Sequence, residues 1–211
     1  MYEFPFELDD FQKDACRCIT DGKSVVVCAP TGAGKTVIAQ LAIHCALEQG
    51  KKVFYTTPLK ALSNQKYNDF SEKYGIDKVG LLTGDTSINR GAQIVVMTTE
   101  VFRNMLYGTN FGSVTDNLKD VKYVILDEVH YMNDEQRGTV WEESIIYCPT
   151  NVQIVALSAT VANADKLTEW INTVHSRTEL INTDFRPVPL RFYYFDSSQP
   201  NTLLPLLTPN G

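Results

Sequence analysis

The chain has 211 residues, 44% of them hydrophobic and 21% charged, with a formal net charge of −6, which suits one domain with a substantial core and no disulfide scaffold. No apolar stretch approaches the roughly 18 residues of a membrane span, and the acidic, aromatic start MYEFPFELDD is unlike a secretion signal, so the expectation is a soluble intracellular protein with no membrane partner. The acidic balance excludes a grip on nucleic acid through a broad basic face, and Cys16, Cys18, Cys28, Cys45 and Cys148 lack the paired spacing of zinc or redox sites and read as reduced thiols.

In chain order, Asp9 and Asp10 open a helix over 9–20. SVVVCA (24–29) reads as a strand, followed by PTGAGKT and a helix over 35–49 that Gly50 ends. KVFYTT (52–57) is the next strand, and its helix, 59–74, ends at Gly75. The strands KVGLL (78–82) and QIVVMT (93–98) precede a helix over 99–106 and a turn-rich loop over 107–117. YVILD (123–127) and QIVALS (153–158) are strands, with helices over 135–147 and 163–173. Runs this continuously apolar suit strands covered on both faces. Their alternation with helices predicts an α/β fold, a doubly wound, mostly parallel sheet with helices on both faces. From Phe185 the chain carries Pro187, Pro189, Pro200, Pro205 and Pro209. The expected division is therefore a domain over 1–185 and a linker or strand over 186–211 leading out of it.

The strand SVVVCA runs directly into Pro30, Thr31, Gly32, Ala33, Gly34, Lys35 and Thr36 and then a helix, which is the context a phosphate-binding loop requires. Gly32 and Gly34 let the backbone curl so that N–H groups and the helix N-terminus face phosphate oxygens. Lys35 is suited to the β and γ phosphates and Thr36 to a Mg²⁺ ion. The general pattern places glycine where this chain has Ala29. Downstream, VILDEVH (124–130) delivers two carboxylates at the end of an apolar strand, where doubly wound sheets bind ligands. Asp127 is the candidate for the metal, directly or through water, and Glu128 for the hydrolytic water. His130 reads equally well as a histidine satisfied at a helix start and as a functional group.

These motifs together resemble the superfamily 2 DExH-box helicases, and in particular the Ski-two-like RNA helicases. FELDDFQ (6–12) resembles the adenine-recognising Q motif, APTGAGKT motif I, TTPLKALSNQK (56–66) motif Ia and LLTGD (81–85) motif Ic. TTEVFRNML (98–106) resembles motif Ib, DEVHYMND (127–134) motif II and LSAT (157–160) motif III. RGTVWEE (137–143) and RPVPL (186–190) are similar to the Ski-two-like pattern rather than the DEAD-box one, and the FYYFD and TLLPLL tail is similar to plastid and cyanobacterial members.

The resemblance implies the first of two RecA-like motor domains of an ATP-dependent RNA helicase, with ATP and Mg²⁺ as cofactors. It implies that Gln12 reads the adenine edge, with Phe4 or Phe6 packing on the base or serving as core. Pro58, Leu59, Lys60, Thr83, Gly84, Thr98, Thr99, Glu100 and Arg103 match strand-tracking positions for single-stranded RNA or an RNA duplex with an overhang. His130, Ser158 and Thr160 match positions that couple the two sites. Motifs IV to VI are not in the chain, and with them a second RecA-like domain acting in cis, so weak ATP binding and little or no hydrolysis are expected of this chain alone. A repair-type DNA helicase, a P-loop module that does not translocate and a scaffold with a vestigial site are the alternatives.

Overall fold

The computed structural model describes residues 4–108, 117–133, 138–189, 191, 193–195 and 203–205. Its main strands are β1 (Ser24–Cys28), β2 (Lys52–Thr57), β3 (Val79–Leu82), β4 (Ser87–Ile88), β5 (Ile94–Thr98), β6 (Val121–Leu126), β7 (Gln153–Ser158) and β8 (Thr178–Asn182). They form one eight-stranded sheet in the order β4-β3-β5-β2-β6-β7-β1-β8. Every pairing is parallel except β3 with β4, in agreement with the predicted fold class.

The helices are α1 (Asp10–Thr20), α2 (Thr36–Glu48), α3 (Lys60–Tyr74), α4 (Thr99–Leu106), α5 (Gly138–Ile146) and α6 (Ala164–Val174). Successive strand side chains point to opposite faces, and β1 shows the consequence. Val25 and Val27 join Phe11, Ile19, Ile38 and Phe70 in one core, under α1, α2 and α3. Val26 and Cys28 join Phe102, Trp141, Ile145 and Ile171 in the other, under α4, α5 and α6. Two covered faces favour the apolar run Val25–Cys28, and the one buried polar residue of β1, Ser24, accepts the Ile154 N–H at 2.9 Å. α2 lies deep in the first layer, with Ala39, Ala42 and Ala46 allowing close approach and Ile38, Leu41 and Ile43 filling the space around them.

Two strands of the sheet lie outside the predicted set. β8 (TELIN) pairs with β1 at the sheet edge and is only partly buried, so it lacks the apolar run by which its neighbours are recognised. β4 has two exposed residues, too few for any periodicity. Within the stretch expected to be a linker or strand, β9 (Tyr193–Phe195) and β10 (Leu203–Pro205) pair antiparallel. The aromatic residues of β9 favour a strand, and Pro205 stands at the end of β10, where a missing N–H is tolerated. Residues 109–116 of the expected loop and 134–137 at the expected start of α5 lie outside the described residues. No helix among the described residues is long and apolar enough to cross a membrane.

Because β1, β2, β3, β5, β6 and β7 run parallel, their carboxyl ends share one edge of the sheet. Residues 29–36, 58–60, 83–84, 98–100, 127–130 and 158–160 follow those ends directly, so the candidate residues gather along the edge where such folds bind ligands.

Candidate nucleotide-binding site and nucleic-acid edge

After Cys28 the chain turns through residues 29–35 before entering α2. Gly32 (φ 85°) and Gly34 (φ 90°) both take left-handed backbone, which glycine adopts without a Cβ penalty. A Cβ on Gly34 would lie 2.7 Å from Gln12 Nε2, so this glycine also makes room for a side chain that braces the loop. Pro30 is buried, and its carbonyl accepts the Ala33 N–H at 3.1 Å to close the turn under the exposed Thr31. The Lys35 ammonium donates to the carbonyls of Ala29 at 2.7 Å and Pro30 at 3.1 Å. Burial pushes the Lys35 pKa down, and the carboxylates of Glu128 and Asp127 oppose that shift.

Gln12 is 4% exposed. Its Oε1 accepts the Asp9 N–H at 2.9 Å and its Nε2 donates to the Gly34 carbonyl at 3.2 Å. The carboxamide therefore ties the start of α1 to the phosphate loop, and each end keeps one unused hydrogen-bonding capacity. Phe4 and Phe6 have ring centroids 5.5 Å apart. Phe4 packs against the core beneath α1, whereas Phe6 is half exposed.

Thr31, Gly32, Lys35, Thr36, Asp127 and Glu128 line one cavity of about 350 Å³, and Leu62, Gln65 and Lys66 of α3 complete its wall. Asp127 leaves the end of β6 with its N–H on the Thr56 carbonyl at 3.0 Å. Its Oδ1 accepts the Glu128 N–H at 3.0 Å, and its Oδ2 accepts the Tyr55 hydroxyl. Glu128 has φ 58°, a conformation that costs a non-glycine residue about 1–3 kcal/mol and is found mainly at functional sites. No group of three or more His, Cys, Asp or Glu among the described residues is arranged to hold a metal by itself. A threonine hydroxyl and carboxylates around a phosphate-sized cavity fit Mg²⁺, which binds through one or two carboxylates together with substrate phosphates.

His130 Nδ1 lies 3.3 Å from Glu128 Oε2 and accepts the Ala159 N–H at 3.3 Å. The two contacts require opposite protonation at Nδ1, since a proton there serves the carboxylate and a lone pair serves the amide. Residues 127–130 thus meet residues 158–160 through a backbone N–H, which has no signature in the sequence. Ser158 is fully buried beside Cys28, its neighbour on β1. Thr160 is exposed.

At the other end of the edge, Thr57 Oγ1 donates to the Leu59 carbonyl at 3.0 Å, fixing the turn around Pro58 that starts α3. The exposed Lys60 pairs with Asp85, whose other oxygen accepts the Thr83 hydroxyl at 2.9 Å. Thr98 and Thr99 are buried, and the Thr99 hydroxyl donates to the Thr57 carbonyl at 3.1 Å, tying the start of α4 to β2. Gly84 is exposed and Glu100 half-buried beside them. Arg103 turns toward α5, with its guanidinium 3.5 Å from Glu143 and a 3.1 Å hydrogen bond to Asn104.

The family model described as DEAD/DEAH box helicase matches residues 9–167. The chain belongs to the DEAD/DEAH box helicase family. This helicase domain is 53% identical over 209 residues to the chloroplastic DExH-box ATP-dependent RNA helicase DExH15 of Arabidopsis thaliana, a match covering 99% of the chain and 18% of that protein. It is 54% identical over 188 residues to the probable helicase HelY of Mycobacterium tuberculosis, covering 89% of the chain and 20% of HelY. The chain therefore spans about a fifth of the length of these relatives. Among solved structures, the DUF1998 helicase MrfA bound to DNA and AMPPNP superposes with a TM-score of 0.69 at 24% identity, covering 85% of the chain and 27% of MrfA. That likeness supports the fold, and the named relatives agree with the DExH-box resemblance of the sequence.

Proposed function

We propose that this domain is the ATP-gripping half of an RNA helicase motor, in which ATP hydrolysis drives movement along or unwinding of RNA. The observation that carries the reading is the shared sheet edge. Lys35, Thr36, Asp127 and Glu128 line one cavity, and residues 58–60, 83–84 and 98–100 continue along the same edge. One domain thus has a phosphate site beside a row of threonines and an exposed lysine, whose present partners, Asp85 and the Thr57 carbonyl, a nucleic-acid phosphate would have to displace. Phosphates can be held by such groups as well as by basic side chains, which reconciles an acidic chain with a nucleic-acid partner.

In this reading the N–H groups of Thr31, Gly32, Gly34, Lys35 and Thr36 receive the phosphates, and Lys35 exchanges its carbonyl partners for phosphate oxygens. Gln12 uses its spare donor and acceptor on adenine. Thr36 and Asp127 hold Mg²⁺, which when bound neutralises charge developing on the phosphates. Glu128 orients and deprotonates the attacking water, and His130 carries the resulting change to residues 158–160. RNA is favoured over DNA by the similarity to DExH15, an ATP-dependent RNA helicase by name. Residues 1–185 form the motor domain and 186–211 lead to a second lobe in cis. A catalytic arginine from such a lobe is worth about 10³ to 10⁵ in rate in related systems, so the chain alone is expected to turn ATP over slowly or not at all.

RNA and DNA oligonucleotides compared as activators of ATP hydrolysis by the full-length protein test the substrate class. RNA is expected to stimulate hydrolysis at least about tenfold more than DNA of the same sequence. Equal or greater stimulation by DNA would replace the RNA reading with a DNA helicase.

A further inference from the structure

Tyr55 is a buried titratable group beside the nucleotide cavity that the proposed reaction does not use. It lies in the middle of β2 with no exposed surface. Its ring stands edge-on to Phe70, with centroids 5.1 Å apart and planes at 78°, and Lys66 Nζ lies 5.9 Å from its centre. Its hydroxyl donates to Asp127 Oδ2.

The consequence falls on Asp127. Its Oδ1 already accepts the Glu128 N–H at 3.0 Å, so each carboxylate oxygen is held by a donor that cannot move far. One donor is backbone, and the other is the tip of a rigid ring caged by Phe70. A carboxylate pinned at both oxygens cannot rotate about its terminal torsion, and each oxygen still has lone pairs for another partner. A phenylalanine would fill the same apolar volume, so packing alone gives no reason for a hydroxyl here. Buried tyrosine hydroxyls require a partner, and the one found is the carboxylate read as the metal ligand.

We propose that Tyr55 is a positioning residue, its hydroxyl holding Asp127 in the one orientation that presents the carboxylate to a phosphate-bound Mg²⁺. The inference rests on the assignment of Asp127 to the metal. Groups that orient a metal ligand through a hydrogen bond typically change metal affinity by about 10- to 100-fold when removed.

The test is Tyr55→Phe in this chain, read by fluorescent ADP titrated with and without Mg²⁺. Metal-free ADP affinity should stay within about twofold of the unsubstituted chain, and the half-saturating Mg²⁺ concentration should rise about 10- to 100-fold. A purely structural role would weaken both measurements together or neither. An unchanged Mg²⁺ requirement in a variant that binds ADP normally overturns the proposal and leaves the nucleotide site intact. Failure of the unsubstituted chain to bind ADP at all overturns the nucleotide reading, and the proposal with it. If the variant does not fold, the unsubstituted chain labelled with ¹³C at tyrosine Cζ decides the matter. The Tyr55 resonance, identified by its ring contact with Phe70, should shift as Mg²⁺ is added to the ADP complex. A resonance indifferent to Mg²⁺ overturns the proposal.

Discussion

Lys35 stands between opposing influences, since burial lowers its pKa while Glu128 and Asp127 raise it. The same cation that now donates to the Ala29 and Pro30 carbonyls, in the field of those carboxylates, is placed to meet an incoming phosphate. Glu128, at φ 58°, holds backbone strain of the kind that clusters at functional sites. In the full-length protein, Glu128→Gln is expected to leave ATP affinity within about threefold while lowering turnover by at least the 10²-fold typical of a lost acid or base. Equilibrium binding and steady-state hydrolysis measure the two. Unchanged turnover would remove the water-activating role. Such residues were legible because phosphoryl transfer dictates side-chain types at fixed offsets from strand ends. Tyr55 was not, since a tyrosine within an apolar strand reads as core, and the Ala159 N–H was not, since a backbone donor has no residue type. Cys148 gives a simpler check. Burial pushes its thiol up to about 12, and the thiolate is the reactive form. Short iodoacetamide pulses followed by mass spectrometry should label the half-buried Cys18 well before Cys148. Equal labelling rates in the folded chain would contradict the burial described.

At the scale of elements, the strands buried on both faces were readable and the edges were not. β1 and β7 announce themselves through apolar runs, whereas β8 is only partly buried along its length and β4 is two exposed residues long. Gly80 shows how firmly that edge is nevertheless built. A Cβ on Gly80 would lie 2.3 Å from the Asn89 carbonyl oxygen, an overlap with backbone that no rotamer relieves. Gly80→Ala is therefore expected to displace β4 from β3 and to lower stability by about 1–3 kcal/mol, the usual range for overpacking. Urea unfolding measures the loss, and wild-type stability would show that the edge yields freely. On the opposite layer, Trp141 of α5 is 1% exposed. Trp141→Ala should cost about 3–5 kcal/mol by the same measurement, and less than about 1 kcal/mol would mean that α5 is not anchored there.

For the molecule as a whole, the parallel sheet is what turns scattered motifs into a site, because it brings the ends of six separated strands to one edge. The fold also carries an acid response. Burial lowers the pKa of His175, against the opposing hydrogen bond to the Pro149 carbonyl, and burial likewise lowers that of His44. As pH falls below about 6.5, the ordinary histidine value, the unfolded chain takes up these protons before the folded one. Stability is accordingly complete above about 6.5 and lost progressively below it. Urea midpoints at about pH 7.5 and 5.5 should show the decline, and His175→Gln should shrink it. The central claim, that this domain grips ATP through its phosphate loop, is tested most directly by calorimetric titration of ATP with Mg²⁺ into the chain and into Lys35→Ala. The expected result is saturable one-to-one binding to the chain, weakened at least about tenfold by the substitution. No binding, or binding that Lys35→Ala leaves unchanged, would contradict the account.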